Sequence, residues 1–239
     1  MSSRAIKKQV LDLLAGGDLV ASRRALAGLP AGEVVHALFS AICRENPVVR
    51  WHAVTCMGDA VARIAEGDLE AARIILRRFL WSLNDESGGI GWGAPEAMAE
   101  CLCRDERLAG EYAHMLVSYM REDGYMREDG EELCQDGNFI EHPLLQRGVV
   151  WGIGRLAGCR RELLQQLGAG RDLGRYLEAE DPELRGLAAL AAGRLREATL
   201  RPLLQGLRAD TAPLSWYDEG ALHQTTVGVL VRDALEELE

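Results

Sequence analysis

His52 and Cys56 stand four residues apart in ENPVVRWHAVTCMGDAVARI (45–64). On a helix that spacing puts an imidazole and a thiol on one face, where together they can chelate a metal. Cys56, however, falls in an apolar stripe with Val49, Ala53, Met57, Ala60 and Ile64. A buried thiol beside an ordinary histidine is therefore the expected reading. Cys101 and Cys103 are two apart and point about 200° away from each other on a helix, with no matched second pair to complete a zinc site. The five histidines show no H-E-x-x-H spacing, and His142, just before Pro143, reads as a helix-start residue. No G-x-S-x-G, Cys/His nucleophile signature or nucleotide motif occurs. No metal or cofactor is expected, and the residues lean away from an enzyme.

Two other groups suit binding better. WSLNDESGGIGWGAPE (81–96) sets Trp81, Asn84, Asp85, Glu86, Trp92 and Glu96 around Gly88, Gly89, Gly91 and Gly93. It reads either as a loop with aromatic walls and acidic side chains that receives a ligand or peptide, or as a glycine-rich reversal between helices. It is no Rossmann fingerprint and no P-loop, lacking the preceding strand and the G-K-[ST] end. Further on, Arg147 and Trp151 are four apart and share a helix face. A guanidinium beside an indole can make a cation–π contact or hold a carboxylate, and Arg147 can equally bond to an acid or carbonyl of a neighbouring element. On the binding reading, the tryptophans supply apolar area, Asp85, Glu86 and Glu96 select a cationic or donor group, and Arg147 holds an acid.

The elements that position these residues are helices. The 239 residues include 36 Leu and 31 Ala against 27 Val, Ile and Thr together, a balance that favours helix over strand. Apolar content of 48% and charged content of 27% exclude disordered and membrane classes. The net charge of −10, with 25 Arg and only two Lys, argues against bulk attraction to nucleic acid or anionic membrane. No apolar run approaches the roughly 20 residues of a membrane span. Six scattered cysteines and the absence of a signal-peptide pattern point to reduced thiols and a cytoplasmic location.

Self-similarity then organises the chain. Asn46-Pro47 and Asp181-Pro182 each place a capping residue before a first-turn proline. Arg50 and Arg185 follow four residues after the cap, Ala53 and Ala188 three later, Gly58 and Gly193 five later again. Weaker copies put Ala99, Gly154 and Val231 at the glycine position, with Ala94, Val149 and Thr226 at the alanine position. Residues 18–43 look like another degenerate unit. Small residues at these positions let a second helix approach closely. In the last helix Val227, Leu230, Val231, Ala234 and Leu238 form the inward stripe.

The D-P-x-x-R start followed by small residues and a glycine resembles the HEAT-like repeat family, including the short bacterial form found in bilin-lyase subunits. It is clear at 181–193 and nearly so at 46–58. The resemblance implies an all-α fold, a right-handed α-solenoid of about five to six HEAT-like helix pairs, running as a single domain over 1–239. It also implies a non-catalytic protein-binding or adaptor role, with another protein as partner. Two related alternatives are a tetrapyrrole-binding, lyase-like protein and, from the similar length of HEAT-like alkylpurine DNA glycosylases, an enzyme in which Asp85 or Glu96 is the catalytic acid.

The longest step between repeats contains an insertion. YMREDG occurs in tandem at 119–124 and 125–130, and 122–141 holds eight acids and one base. The following 147–175 holds six Arg and two acids. The acidic stretch is expected to be a solvated loop, a docking arm, or a partner for those arginines.

Overall fold

A computed structural model describes residues 2–84, 91–122, 137–218 and 220–239. In chain order the helices are α1 (Ser3–Ala15), α2 (Leu19–Ala27), α3 (Ala31–Ala41), α4 (Pro47–Gly67), α5 (Leu69–Asn84), α6 (Ala94–Arg104), α7 (Glu106–Ser118) and α8 (Pro143–Gln166). The short α9 (Ala169–Asp172) and α10 (Gly174–Leu177), then α11 (Pro182–Leu195) and α12 (Arg201–Gly206), lead to two strands, β1 (Pro213–Asp218) and β2 (Ala221–Thr226). The last helix is α13 (Val227–Glu237). The chain forms two compact units, one of Met1–Gly110 with Tyr217–Leu222, the other of Glu111–Trp216 with His223–Glu239.

In the first unit α1, α3, α4 and α6 pack in sequence, with α2 and α5 laid against α4. The caps explain where α4 begins. Asn46 Oδ1 accepts from the Val48 and Val49 amides at 3.0 and 3.2 Å, satisfying donors that have no helical partner, and Pro47 has none to lose. Ala53, Cys56, Met57 and Ala60 of the expected stripe are buried, together with Val54 and Val61. At Gly58 the fit to α6 is close: a Cβ would lie 2.8 Å from the Glu100 carbonyl oxygen. Ile6, Val10 and Leu14 seat α1 on this core.

In the second unit α11 lies between α8 and α13. Asp181 caps α11 through the Glu183 amide at 2.9 Å, and His142 caps α8, its Nδ1 accepting from the Leu144 amide at 3.3 Å, as its place before Pro143 predicts. A Cβ at Gly193 would meet Ala234 Cα at 2.7 Å, whereas at Gly154 it would meet Ala191 at an ordinary 3.5 Å. α8 is kinked at Arg160, whose φ and ψ of −138° and 41° leave the helical range. Before the acidic stretch, Tyr119 and Met120 are buried, the Tyr176 hydroxyl donates to the Met120 carbonyl at 3.0 Å, and Arg121 reaches Asp172 at 2.8 Å. The repeat of YMREDG at 125–130 lies outside the described residues.

The repeat register is corrected at its last copy. Thr226 is not a helical position: it ends β2 and is the N-cap of α13, which begins at Val227. β1 and β2 form a two-stranded hairpin. Their aromatic and β-branched residues Trp216, Tyr217, Thr225 and Thr226 suit strands, and the two-residue link needs the positive φ of Gly220, +90°. The inward stripe of α13 also ends on Leu235 rather than Leu238. The hairpin tip belongs to the first unit. Tyr217 stacks on Trp51 of α4, with ring centroids 4.7 Å apart and planes at 8°, and its hydroxyl meets Thr55 Oγ1 at 2.9 Å in a buried pair.

Among the described residues no helix is long and apolar enough to cross a membrane.

Candidate functional site

α5 exposes two large apolar side chains on a face that also carries the exposed Arg77 and Arg78. Trp81, in its last turn, is 78% exposed, and Ile74, seven residues earlier and so on the same side, is 58% exposed. Asn84 ends the helix in an exposed position; Asp85 and Glu86 lie outside the described residues. The chain returns beside that end. A Cβ on Gly91 would sit 2.8 Å from the Ser82 carbonyl oxygen, so the residue next to Trp92 touches the residue next to Trp81. This approach brings the two tryptophan backbones together. Trp92 is 36% exposed, and its carbonyl accepts from the Cys43 thiol at 3.5 Å.

Gly93 turns the chain into α6 with a φ of +75°, pressed against Ile42 so that a Cβ would be 2.7 Å from the Ile42 carbonyl oxygen. Only glycine fits there. Glu96 follows in the first turn of α6, where the helix dipole favours an acid, and is almost fully buried. Burial, and then the Glu96 charge, push the Cys43 thiol above its ordinary pKa, so it is a poor nucleophile. Burial likewise pushes Cys56 up to about 12 and raises Cys101 further. Among the described residues no three His, Cys, Asp or Glu side chains gather as a ligand set. A cavity of about 390 Å³ opens between α2, α3 and α4, and its acid, Asp59, is held by Arg23 through two contacts of 2.5 and 3.0 Å.

Arg147 and Trp151 lie in the second unit. Trp151 is 4% exposed, which makes it packing for α8 rather than contact area. Arg147 is clasped by Asp181 and Glu183, each at 2.5 Å, which is the bond to a neighbouring element that its sequence setting also allowed. Other arginines of 147–175 are similarly engaged: Arg161 donates to the Arg194 carbonyl at 2.6 Å, and Arg175 pairs with Glu122, the first acid of the acidic stretch, at 2.9 Å.

Sequence leaves Ile74 of the first unit unmarked and offers His52 only as a metal ligand beside Cys56. Ile74 could have been found from its seven-residue spacing to Trp81. His52 is buried under the hairpin tip with Nδ1 unpartnered. Burial lowers its pKa, against the opposing pull of a hydrogen bond to the Gly220 backbone and the charge of Asp18. The folded protein therefore favours neutral imidazole and binds fewer protons than the unfolded chain between the two pKa values. This contribution is complete above the unfolded value of about 6.5 and is lost as pH falls below it towards the lower folded value. Urea midpoints measured from pH 7.5 down to 5 should fall for the native sequence, and His52→Gln should flatten that slope.

No protein-family model matches the chain, and no curated protein matches it in sequence. Solved structures do. A designed armadillo repeat protein is 19% identical and superposes with a TM-score of 0.56, covering 99% of this chain and 93% of its own. A second, in complex with the peptide (KR)4, is 20% identical with a TM-score of 0.55 over 98% and 91%. An engineered protein at 15% identity gives 0.54 over 100% and 97%. The fold is thus an all-α helical-repeat solenoid, with a single hairpin among the described residues.

Proposed function

We propose that this protein is a non-catalytic, HEAT-like binding module that holds a segment of another protein, using Trp81, Trp92 and Ile74 of the first unit as its apolar contacts. The observation that carries the reading is the exposure of Trp81, the most exposed of the large apolar side chains among the described residues, whereas Tyr119 and Phe79 are fully enclosed. Large aromatics held at a surface by rigid helices are the residues that dominate protein interfaces. Asn84, with Asp85 and Glu86 next to it in sequence, adds polar and acidic character that favours cationic or hydrogen-bond-donating groups on the partner, while Glu96 is enclosed. A repeat protein of the same fold holding a (KR)4 peptide is in keeping with such a ligand. Arg147 and Trp151 take no part, since one is ion-paired and the other is buried.

The test is site-specific. Benzoylphenylalanine at position 81 should cross-link a distinct polypeptide in lysate of the native organism, and the same group at the exposed position 236 should not. Trp81→Ala should change stability by less than about 0.5 kcal/mol, yet weaken capture by roughly tenfold or more. Equal cross-linking from both positions, or unchanged capture by a folded Trp81→Ala/Trp92→Ala variant, would remove the assignment.

A further inference from the structure

The repeats of the second unit share a device. An arginine near the helix start, five residues after the cap in α8 and four after it in α11, reaches an acid further along the chain. Arg147 of α8 holds Asp181, the N-cap of α11, together with Glu183, each at 2.5 Å. Arg185 of α11 holds Asp210 through Nε and Nη2 at 2.9 and 2.8 Å, and its Nη1 donates to the Ala179 and Glu180 carbonyls at 2.8 Å.

Arg50 stands at the matching place in the first unit, four residues after its cap as Arg185 is after Asp181. No hydrogen bond or ion pair joins it to an acid among the described residues, Glu96 included. Its Nε is shut from water with no acceptor. The reason lies in the next helix of the row. α6 opens on Gly93 where α11 opens on Asp181, and the positive φ and the contact with Ile42 exclude any side chain there. The first unit therefore has the arginine without a capping acid of the kind that Asp181 gives Arg147.

Arg50 is nevertheless held in place. Its Cζ lies 5.5 Å from the Trp51 ring centroid, and Trp51 is itself fixed by the stack on Tyr217. Arg50 is partly exposed, so a ligand can reach it in the folded protein. A planar guanidinium fixed against an aromatic can offer its terminal N–H groups to a carboxylate, while the enclosed Nε–H stays out of a ligand's reach.

We propose that Arg50 is a carboxylate-binding site, filled by an acidic group of a bound ligand where Arg147 and Arg185 are filled by the chain's own acids. This deepens the binding reading above by naming a group the ligand carries.

The experiment follows the arginine Nε–Hε NMR signals of the full chain during titration with three probes. These are sodium acetate, an amidated hexaglutamate peptide, and an acetylated alanine peptide with a free C-terminus. The Arg50 signal should move saturably with at least one probe while those of Arg147 and Arg185 stay in place. Response to hexaglutamate alone assigns a side-chain carboxylate, response to the free C-terminus alone a terminal one, and response to all three a general carboxylate site. Arg50→Gln should weaken the responding probe roughly tenfold or more, and Arg50→Lys should restore only part of that affinity. An Arg50 signal that ignores all three probes, or three arginine signals that move together, overturns the proposal. The probes are defined compounds, so either result leaves cross-linking at position 81 to be judged separately.

Discussion

Trp151→Ala is expected to lower the stability of the second unit by about 3–5 kcal/mol, the range for removing a fully packed aromatic from a core. The ring is 4% exposed in α8, the helix on which α11 packs, so its loss leaves a cavity that surrounding helices close only in part. A domain stable by about 5–15 kcal/mol is left marginal by such a change. Urea unfolding followed by circular dichroism measures it. The contrast with Trp81→Ala is the useful part: one tryptophan should govern folding and the other capture of a partner, although in sequence both stand out equally as large aromatics. A Trp151→Ala variant with unchanged unfolding and lost binding would return Trp151 to the working surface.

The second large effect concerns the repeat glycines. Gly58→Ala and Gly193→Ala should each destabilise by about 1–3 kcal/mol, because the new methyl would lie 2.8 Å from the Glu100 carbonyl oxygen or 2.7 Å from Ala234 Cα. These neighbours are backbone, which yields only if a helix moves. Gly154→Ala should instead raise stability by up to about 1 kcal/mol, because its methyl would meet Ala191 at 3.5 Å and the helix gains a better former. Three identical substitutions at one repeat position thus separate in sign. Equal losses at all three sites would mean that helix spacing is uniform along the row.

Much of this architecture could be read from the residues. The five positions 58, 99, 154, 193 and 231 fall on α4, α6, α8, α11 and α13, the helices that pack successively within their units. The caps at Asn46, His142 and Asp181 were equally plain, since capping and first-turn proline are local chemistry. The hairpin was not. Its signal, strand-forming residues on both sides of a two-residue link ending in Gly220, was overridden by a repeat register extended through HQTTVG.

The candidate site was legible only as residue types. Sequence marks Trp81, Trp92 and Trp151 alike, while exposure separates them, and exposure depends on which helices lie alongside. Arg147 likewise shows its charge in sequence, whereas the two acids that occupy it come from 34 and 36 residues further on. Arg50 was visible as a repeat arginine. What distinguishes it is the missing acid across from it, and that follows from the backbone geometry of Gly93.

The hairpin tip bears on the order in which the molecule is made. Trp51, His52 and Thr55 leave the ribosome more than 150 residues before the Tyr217 and Gly220 that cover them. At typical elongation rates of roughly 5–20 residues per second, those side chains wait for some tens of seconds at the slow end. A nascent first unit thus carries an unroofed indole until Tyr217 has been synthesised, and an N-terminal fragment ending at Gly110 would keep it bare permanently.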